Sequence, residues 1–294
     1  MTKKETANTN FSKYIKWFWI TILGGTAAVI LLFLFASWGF YGKLPTFEEL
    51  ENPEHNLATE VISIDGKTLG KYFKENRTPV RYKDLPPNLI KALIATEDER
   101  FYEHSGVDFK ATARAIAKLG KDGGGSTITQ QFAKILVHGE GSKNIVQRLM
   151  QKFQEYVIAV RLERQYTKQE IITMYLNKYD FINLAVGIRS ASRIYFGKEP
   201  IDLTISESAM LVGMLKNSSY YNPLRREELV LKRRNVVLGQ MYRNNFISKK
   251  LKDSLQQKDL GLNVNRESHS DGNATYFREY LRDFMKTWIK NNPK

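Results

Sequence analysis

The amino-acid sequence predicts a mainly α-helical protein, with one transmembrane helix ahead of its folded part and a short β-hairpin region between the two. Residues 17–42 contain no charged side chain and number roughly 25, long enough for a helix to cross a bilayer. From residue 88 to about 260 the apolar residues recur mostly at helical spacing. Between these parts, β-branched runs flank Asp65-Gly66, a pair typical of a hairpin turn.

The apolar segment at residues 17–42 also predicts an orientation. Lysines precede it and aromatic residues lie near its two ends, as is typical of cytoplasmic flanks and interfacial rings. These residues are Lys3, Lys4, Lys13, Lys16, Trp17, Trp19, Trp38 and Tyr41. Residues 1–16 are therefore predicted to be a cytoplasmic tail of a single-pass protein of the cytoplasmic (inner) membrane, with the rest of the chain outside. A signal-peptide core would be shorter; a buried core helix is the alternative.

The charge of the chain indicates an anionic partner. Its 294 residues include 45 Lys and Arg against 31 Asp and Glu, a formal net charge of +14. Nucleic acid, a membrane surface or a phosphorylated substrate would each fit. An outward-facing domain argues against nucleic acid, so none is expected. The chain has no cysteine, which excludes disulfides, thiolate catalysis and cysteine-ligated metals.

Composition divides the remainder of the chain. Residues 43–85 are predicted to be a polar linker followed by the short β region, and Pro86-Pro87 precedes a long series of helical patterns. Residues 86–262 are predicted to form the main domain. Residues 263–294 are predicted to be a C-terminal linker, polar at first and amphipathic at its end.

The segment "PPNLIKALIATEDERFYEHSG" places a carboxylate on an apolar helical stripe. Ile90, Ile94 and Glu97 fall at i, i+4 and i+7, so Glu97 continues the stripe. Apolar surroundings disfavour the charged carboxylate, so the pKa of Glu97 should rise, which suits a general base near neutral pH. A second interpretation stays open, in which the helix ends here and Glu97 already emerges into solvent.

The segment "KDGGGSTITQQFAKIL" runs three glycines into a helix start. Thr127 and Gln130 have the spacing of a capping box. Free backbone N–H groups at such a start, together with the helix dipole, favour an anion. Ser126 stands where a nucleotide P-loop requires lysine, so this is not a Walker motif. An ordinary capped helix after a flexible loop is the alternative.

A third segment, "NIVQRLMQKFQEYVIAV", carries an apolar stripe and a polar cluster on opposite helix faces. The polar cluster consists of Arg148, Lys152 and Glu155. In isolation it is typical of a solvated face; in a cleft it would be a carboxylate with two cations that hold phosphate oxygens. The stripe consists of Val146, Leu149, Met150, Phe153, Val157 and Val160.

Other chemistries find little support. The four histidines are scattered, and none has HExxH or similar zinc spacing. A divalent cation bound by carboxylates stays open. Neither Ser-x-x-Lys nor Lys-Thr-Gly occurs, which removes the penicillin-type serine acyl-transfer site.

Five segments in order together resemble the motifs of the family 51 peptidoglycan glycosyltransferases. They are "EDERFYEHSGVD", "GGSTITQQ", "QKFQE", "ERQYTKQEIITMYLN" and "ISESAMLVGMLKNSSYYNP". The resemblance runs from roughly residue 44 to the end, and its first two motifs are highly specific. Members of this family occur as monofunctional enzymes and as the N-terminal half of class A penicillin-binding proteins. The C-terminal segment resembles the linker into a transpeptidase domain, so a bifunctional parent protein and a monofunctional one both stay open.

The resemblance implies a reaction and roles for matched positions. Glu97 would be the catalytic base that takes a proton from the 4-hydroxyl of the acceptor, lipid II. The donor would be the lipid-linked glycan strand, with inversion at C1 and release of polyprenyl pyrophosphate. Glu155 would position or stabilise that pyrophosphate; a divalent cation (Mg²⁺ or Mn²⁺) is a candidate cofactor, and no organic cofactor is expected. The implied substrate-binding residues are Arg114, Gly125, Ser126, Thr127, Gln130, Gln131, Lys134, Arg148 and Lys152.

The resemblance also implies a lysozyme-like glycosyltransferase domain with a small membrane-proximal lobe. A hydrophobic patch between the lobes, expected around residues 132–146, would dip into the bilayer. Proteins of cell-wall elongation or division are candidate partners. Two rival functions stay open: a lytic glycan-cleaving enzyme that uses Glu97 as an acid, and a non-catalytic scaffold that binds lipid II. The Gly-rich motif argues against the first, since cleavage needs no pyrophosphate site.

The sequence departs from the family pattern in three places. Gln151-Lys152 stands where the third motif usually has Arg-Lys, and Arg148, one turn earlier, is a candidate substitute. "YDFINLAVG" stands where the fourth motif commonly reads "YFGxGAYG". The fifth motif ends "KNSSYYNP" where a proline-containing turn is common. These departures concern fine details of the acceptor site and not the reaction.

Overall fold

A computed structural model confirms the prediction of a mainly helical chain. It describes residues 11–39, 59–62, 64–65, 68–72, 79–117, 124–139, 141–142, 144–264 and 275–292. The predicted hairpin is also confirmed: β1 (Thr59–Ile62) pairs antiparallel with β2 (Thr68–Tyr72), and Asp65 lies in the turn between them. Gly66 lies outside the described residues.

The first helix, α1 (Phe11–Ser37), is 27 residues long and apolar enough to cross a membrane. It begins ahead of the predicted start at residue 17 and ends ahead of residue 42. Lys13 and Lys16 therefore lie on its first turns and not in a separate tail. Lysine is a good helix former, and its long stem lets the charge reach the interface while the helix continues.

The main domain and the C-terminal segment are built mainly from helices. In chain order these are α2 (Pro87–Glu97), α3 (Phe109–Ala117), α4 (Ile128–Val137), α5 (Ile145–Gln165), α6 (Lys168–Lys178), α7 (Ile188–Phe196), α8 (Ile205–Met214), α9 (Glu227–Arg243), α10 (Lys249–Gln256) and α11 (Thr275–Asn291). Helix α11 occupies much of the segment that the sequence predicts as a C-terminal linker.

Two groups of helices surround the site. In the first, α8 packs between α2 and α9 and is buried from Glu207 to Met214. In the second, α4 packs on both α5 and α6. The C-terminal end of α2 meets the N-terminal end of α4, where the backbone N–H of Ile128 donates to a carboxylate oxygen of Asp98. This junction sets where the polar side chains of α2, α4 and α5 lie relative to one another.

The start of α4 has the predicted capping box. The Thr127 hydroxyl accepts from the Gln130 backbone N–H at 3.1 Å, and the Thr127 backbone N–H donates to the Gln130 side chain at 3.4 Å. The same hydroxyl donates to the carbonyl of Gly106 at 2.7 Å. Gly106 has a φ of +89°, and an added Cβ would lie 2.7 Å from the carbonyl oxygen of Ala159 on α5. Glycine is therefore needed at position 106, where the loop between α2 and α3 contacts both the start of α4 and the backbone of α5.

Helix α5 buries Glu155 of the polar cluster, so the interpretation of the whole cluster as a solvated face is wrong. Gln154 and Glu155 are buried together with Ile158, Ala159 and Leu162. Phe153, from the predicted apolar stripe, instead meets Phe33 of α1, with ring centroids 4.9 Å apart. Arg161 donates to the Ser37 carbonyl at 3.1 Å. The apolar helix α1 packs against the outer side of α5, so the apolar stripe of α5 contacts α1.

The expected apolar patch begins later than the sequence analysis placed it. Phe132, at the start of the predicted range, is buried in the core. Ile145, Val146 and Leu149, on the first turns of α5, are exposed apolar side chains. Phe132 is buried because α4 packs on both α5 and α6.

Candidate active site

Glu97 is the last residue of α2, and its side chain is only 12% exposed. The interpretation in which it emerges into solvent is therefore wrong. One carboxylate oxygen, Oε2, accepts from the Gln131 side-chain amide at 2.8 Å. The other, Oε1, is buried without a hydrogen bond from the described residues and lies 3.6 Å from Nη2 of Arg233. This second oxygen therefore faces the Arg233 guanidinium inside the protein.

The amide of Gln131 is oriented by a buried tyrosine. The Tyr175 hydroxyl donates to Gln131 Oε1 at 2.9 Å, which leaves the Gln131 NH₂ group to face Glu97. Burial, and then the charge of Glu97, raise the pKa of Tyr175 well above its usual value. Tyr175 therefore stays protonated and donates over the whole physiological pH range. The bonds run in one direction, from Tyr175 through Gln131 to Glu97.

The expectation of free N–H groups at the start of α4 is corrected by Asp98. Its buried carboxylate accepts from the Ile128 backbone N–H at 3.0 Å, and the Gln130 N–H is bound by Thr127. An anion does occupy this helix start, as the dipole favours, but it belongs to the protein. His104 Nε2 lies 3.0 Å from the same carboxylate. Asp98 thereby fixes α4 to the end of α2 and brings Gln131 beside Glu97.

A second carboxylate, Glu155, lies between two cations. Nη1 of Arg148 and Nζ of Lys152 each lie 2.7 Å from one of its oxygens. Lys152 also donates to the Ser126 hydroxyl at 2.8 Å, which joins the glycine-rich loop to α5. Glu155 is 2% exposed, whereas the side chains of Arg148 and Lys152 are 36% and 24% exposed. We call Ser126, Arg148, Lys152 and Glu155 the Glu155 cluster; its cations face outward and its carboxylate inward.

The other predicted substrate-binding residues fall into different settings. At Gly125 an added Cβ would lie 2.9 Å from Cα of Thr112, so glycine is needed where the loop passes α3. Arg114 lies on α3, half exposed and 3.8 Å from Glu99, and its only ion pair in the described chain is that one. Lys134 is half-buried on the last turn of α4. Roles for these residues in substrate binding stay predictions.

Thr127 and Gln130 are buried parts of the helix cap. Gln130 is fully buried, and its Nε2 lacks a hydrogen-bond partner in the described parts of the chain. The capping box shows a structural role for both residues. Contact with a substrate stays a prediction.

Sequence reasoning missed three residues of this site. Asp98 is adjacent to Glu97, yet its partner Ile128 lies 30 residues further along the chain. Tyr175 sits among apolar neighbours on α6, a pattern typical of core. Arg233 comes from α9 with no motif around it. A polar residue on an apolar stripe is the one signal that could have indicated Tyr175.

Binding of a divalent cation at Glu155 stays a prediction, and the described residues offer it no preformed set of ligands. Within the described ranges, no three His, Asp or Glu side chains come together as metal ligands would. Both oxygens of Glu155 are already bound by Arg148 and Lys152. The chemistry below is therefore derived from the protein's own side chains.

Comparison with known proteins gives consistent results. A family model described as Transglycosylase matches residues 65–242. Penicillin-binding protein 1A of Pseudomonas aeruginosa is 35% identical over 278 residues, covering 93% of this chain and 33% of that protein. Penicillin-binding protein 1F of Bacillus subtilis is 38% identical over 234 residues, covering 78% and 32%. Penicillin-binding protein 1A of Escherichia coli is 34% identical over 282 residues, covering 93% and 32%.

The chain spans about a third of the length of these relatives. The family match, in contrast, covers more than half of the chain and includes both carboxylates, the glycine-rich loop and Arg233. The chain belongs to the transglycosylase family.

Proposed function

We propose that this chain is a peptidoglycan glycosyltransferase that polymerises lipid II into β-1,4-linked glycan strands. The observation that carries the proposal is that the chain supplies both an incompletely paired carboxylate, Glu97, and a set of partly exposed cations in the Glu155 cluster. A base and a set of cations are what a hydroxyl attack with a pyrophosphate leaving group requires. Family membership and the penicillin-binding relatives support the same reaction.

Glu97 acts as the general base in this proposal. The Glu97 carboxylate takes the proton of the acceptor 4-hydroxyl while the hydrogen bond from Gln131 keeps the carboxylate in place. The acceptor oxygen then forms a bond to C1 of the donor sugar as the bond from C1 to the phosphate oxygen breaks. Attack on the face opposite the leaving group inverts C1 from α to β. Both electrons of the broken bond leave with the polyprenyl pyrophosphate.

Arg148 and Lys152 stabilise the leaving group in this proposal. The pyrophosphate gains negative charge as the bond to C1 breaks, and charge-assisted hydrogen bonds to phosphate strengthen as that charge grows. Glu155 neutralises one of the two cations, so the pair carries a net charge of about +1 toward the substrate. It also holds both side chains on one face of α5, so little rearrangement is needed when the substrate binds.

The membrane arrangement fits a lipid-linked substrate. In this proposal α1 crosses the cytoplasmic membrane once, with the catalytic part on its outer side. The exposed apolar start of α5, at Ile145, Val146 and Leu149, then contacts the bilayer. The donor and acceptor lipids reach the site without leaving the membrane.

The test is lipid II turnover by the purified chain in detergent, beside Glu97→Gln. We expect polymer from the parent and a loss on the order of 10²–10⁴-fold in the variant, the usual contribution of a general base. Equal thermal stability of the two proteins would show that the variant is folded. Glycan cleavage in place of polymer would favour the lytic enzyme. Lipid II binding without any turnover would favour the scaffold.

A further inference from the structure

The departure in the third motif has a specific structural setting. Gln151 lies on α5 where the family pattern has arginine. Its Oε1 accepts from the Ser142 backbone N–H at 2.9 Å and from Nη1 of Arg148 at 3.4 Å. The same Nη1 donates to Glu155 at 2.7 Å. Gln151 therefore contacts both the loop before α5 and the cation that binds Glu155.

The loop also supports Arg148 directly. A Cβ added at Gly141 would lie 3.3 Å from Nε and 3.4 Å from Cδ and Cζ of Arg148, so the guanidinium packs along the backbone of this glycine. Ser142, the next residue, is bound by Gln151 through its N–H and by Gln147 through its hydroxyl, at 2.8 Å. Arg148 is thus held at Nη1 by Glu155 and Gln151, and along its length by the loop.

Helix geometry explains why Arg148 needs this support. With a rise of 1.5 Å per residue, position 151 lies about 6 Å along the axis from Glu155, and position 148 about 10.5 Å. Residues three apart share a helix face, so a cation at 148 faces the same way as one at 151. Its side chain must nevertheless extend along the helix for one more turn. A flexible arginine in that geometry loses conformational entropy unless its neighbours already restrict it.

We propose that Gln151 is a positioning residue of the donor site: it seats Arg148 beside Glu155 and so replaces, from one turn earlier, the arginine usual in the third motif. The proposal rests on the proposed function, in which Arg148 binds a phosphate of the donor. Gln151 and Arg148 then act as one coupled pair. The ligand whose affinity depends on this pair is a polyprenyl pyrophosphate.

A double-mutant cycle tests the coupling. Binding of polyprenyl pyrophosphate to the full chain in detergent, and lipid II polymerisation, are measured for Gln151→Ala, Arg148→Gln and the combination. We expect Gln151→Ala to weaken binding about fivefold in the parent and to add nothing once Arg148 is gone. Gln147→Ala is the matched control, because it removes the other glutamine contact of Ser142 and leaves Arg148 untouched. It should bind like the parent.

A position swap sharpens the test. Arg148→Gln combined with Gln151→Arg should restore binding to within about threefold of the parent, although Arg148→Gln alone does not. Equal losses from Gln151→Ala in both backgrounds, or the same loss from Gln147→Ala, would overturn the proposal. The proposal would also be overturned if the swapped variant bound polyprenyl pyrophosphate as weakly as Arg148→Gln does, or if the parent did not bind it. A parent that binds it without making polymer would contradict the proposed function alone, because the cycle can be completed on binding.

Discussion

The two glutamates of the site differ in how their carboxylate oxygens are paired. Glu155 is 2% exposed and has a cation 2.7 Å from each oxygen. Glu97 is 12% exposed, and one of its oxygens accepts from a neutral amide at 2.8 Å. The nearest cation to its other oxygen is Arg233 at 3.6 Å, too far for a hydrogen bond. The same residue type is therefore fully paired in one place and incompletely paired in the other.

This difference suits two tasks for the two carboxylates. Glu155 has both oxygens bound by cations and holds those cations in place. Glu97 is bound by a neutral amide, and its nearest cation lies beyond hydrogen-bond distance. The environment, and not the residue type, assigns the roles of base and electrostatic partner. Incomplete pairing also costs stability, which makes the comparison testable without substrate.

The largest expected effect is on stability when each glutamate becomes glutamine. Breaking a buried pair costs about 3–5 kcal/mol. Arg148 and Lys152 are partly exposed, so Glu155→Gln should lower the free energy of unfolding by about 2 kcal/mol. Glu97→Gln should lower it by less, about 1 kcal/mol, since Arg233 loses a partner that lies 3.6 Å away and the Gln131 contact can be kept. Apparent Tm values at one scan rate measure both variants. Equal losses would show that Glu97 is as well paired as Glu155.

Asp98 tests how Glu97 is kept beside Gln131. Asp98→Ala removes a cap from α4, at a cost of about 1–2 kcal/mol, and should also reduce turnover because Gln131 is displaced. Thr167→Ala is the matched control, since Thr167 caps α6 by accepting from the Glu170 N–H. It should cost about 1 kcal/mol and leave turnover unchanged. A similar loss of turnover in both variants would mean that global stability, and not the position of α4, limits activity.

Tyr175→Phe tests the orientation of Gln131. Loss of the hydroxyl leaves Gln131 Oε1 unpaired, so turnover should fall about tenfold, equivalent to roughly 1.4 kcal/mol. The raised pKa of Tyr175 means that its contribution is fully present below pH 10, so the loss should be constant across neutral pH. Tyr179→Phe is the control, because that hydroxyl donates to the carbonyls of Met214 and Leu215. A loss confined to one side of neutral pH would contradict this role.

The smallest expected effect lies in a loop that touches neither glutamate. Ile182, Asn183 and Leu184 all have positive φ, between 55° and 66°, where the family pattern has Gly-x-Gly. Leu184 is 58% exposed and contributes little packing. Leu184→Gly should relieve the left-handed strain and stabilise the chain by about 0.5 kcal/mol, the remainder after the entropy of glycine in the unfolded state. Denaturant unfolding measures the gain in the free energy of unfolding. As the control, Leu184→Gly should leave unchanged the difference in stability between Glu97→Gln and Glu155→Gln.

Local features of this site were predictable from the sequence because their cause is local. The capping box of Thr127 and Gln130 spans four residues, and the burial of Glu97 follows from its place on an apolar stripe. The inward-facing side of α5 was not predictable in the same way. Because α1 packs against the apolar face of α5, the polar face can be buried as well. Periodicity alone therefore does not tell which face of α5 is directed inward. Tyr175 and Arg233 reach the site through packing of distant helices, which leaves no local pattern.

The contact between Phe33 and Phe153 relates the position of the Glu155 cluster to the position of α1. Phe33 is four residues from the end of α1, about 6 Å along its axis, and Phe153 is two residues from Glu155, about 3 Å along α5. In the proposed arrangement, in which α1 spans the bilayer, the Glu155 cluster would lie near the level where the hydrocarbon ends and lipid headgroups begin. Its distance from the lipid tails would then be set by α1. Shortening α1 by one turn should carry the cluster about 5 Å toward the lipid tails.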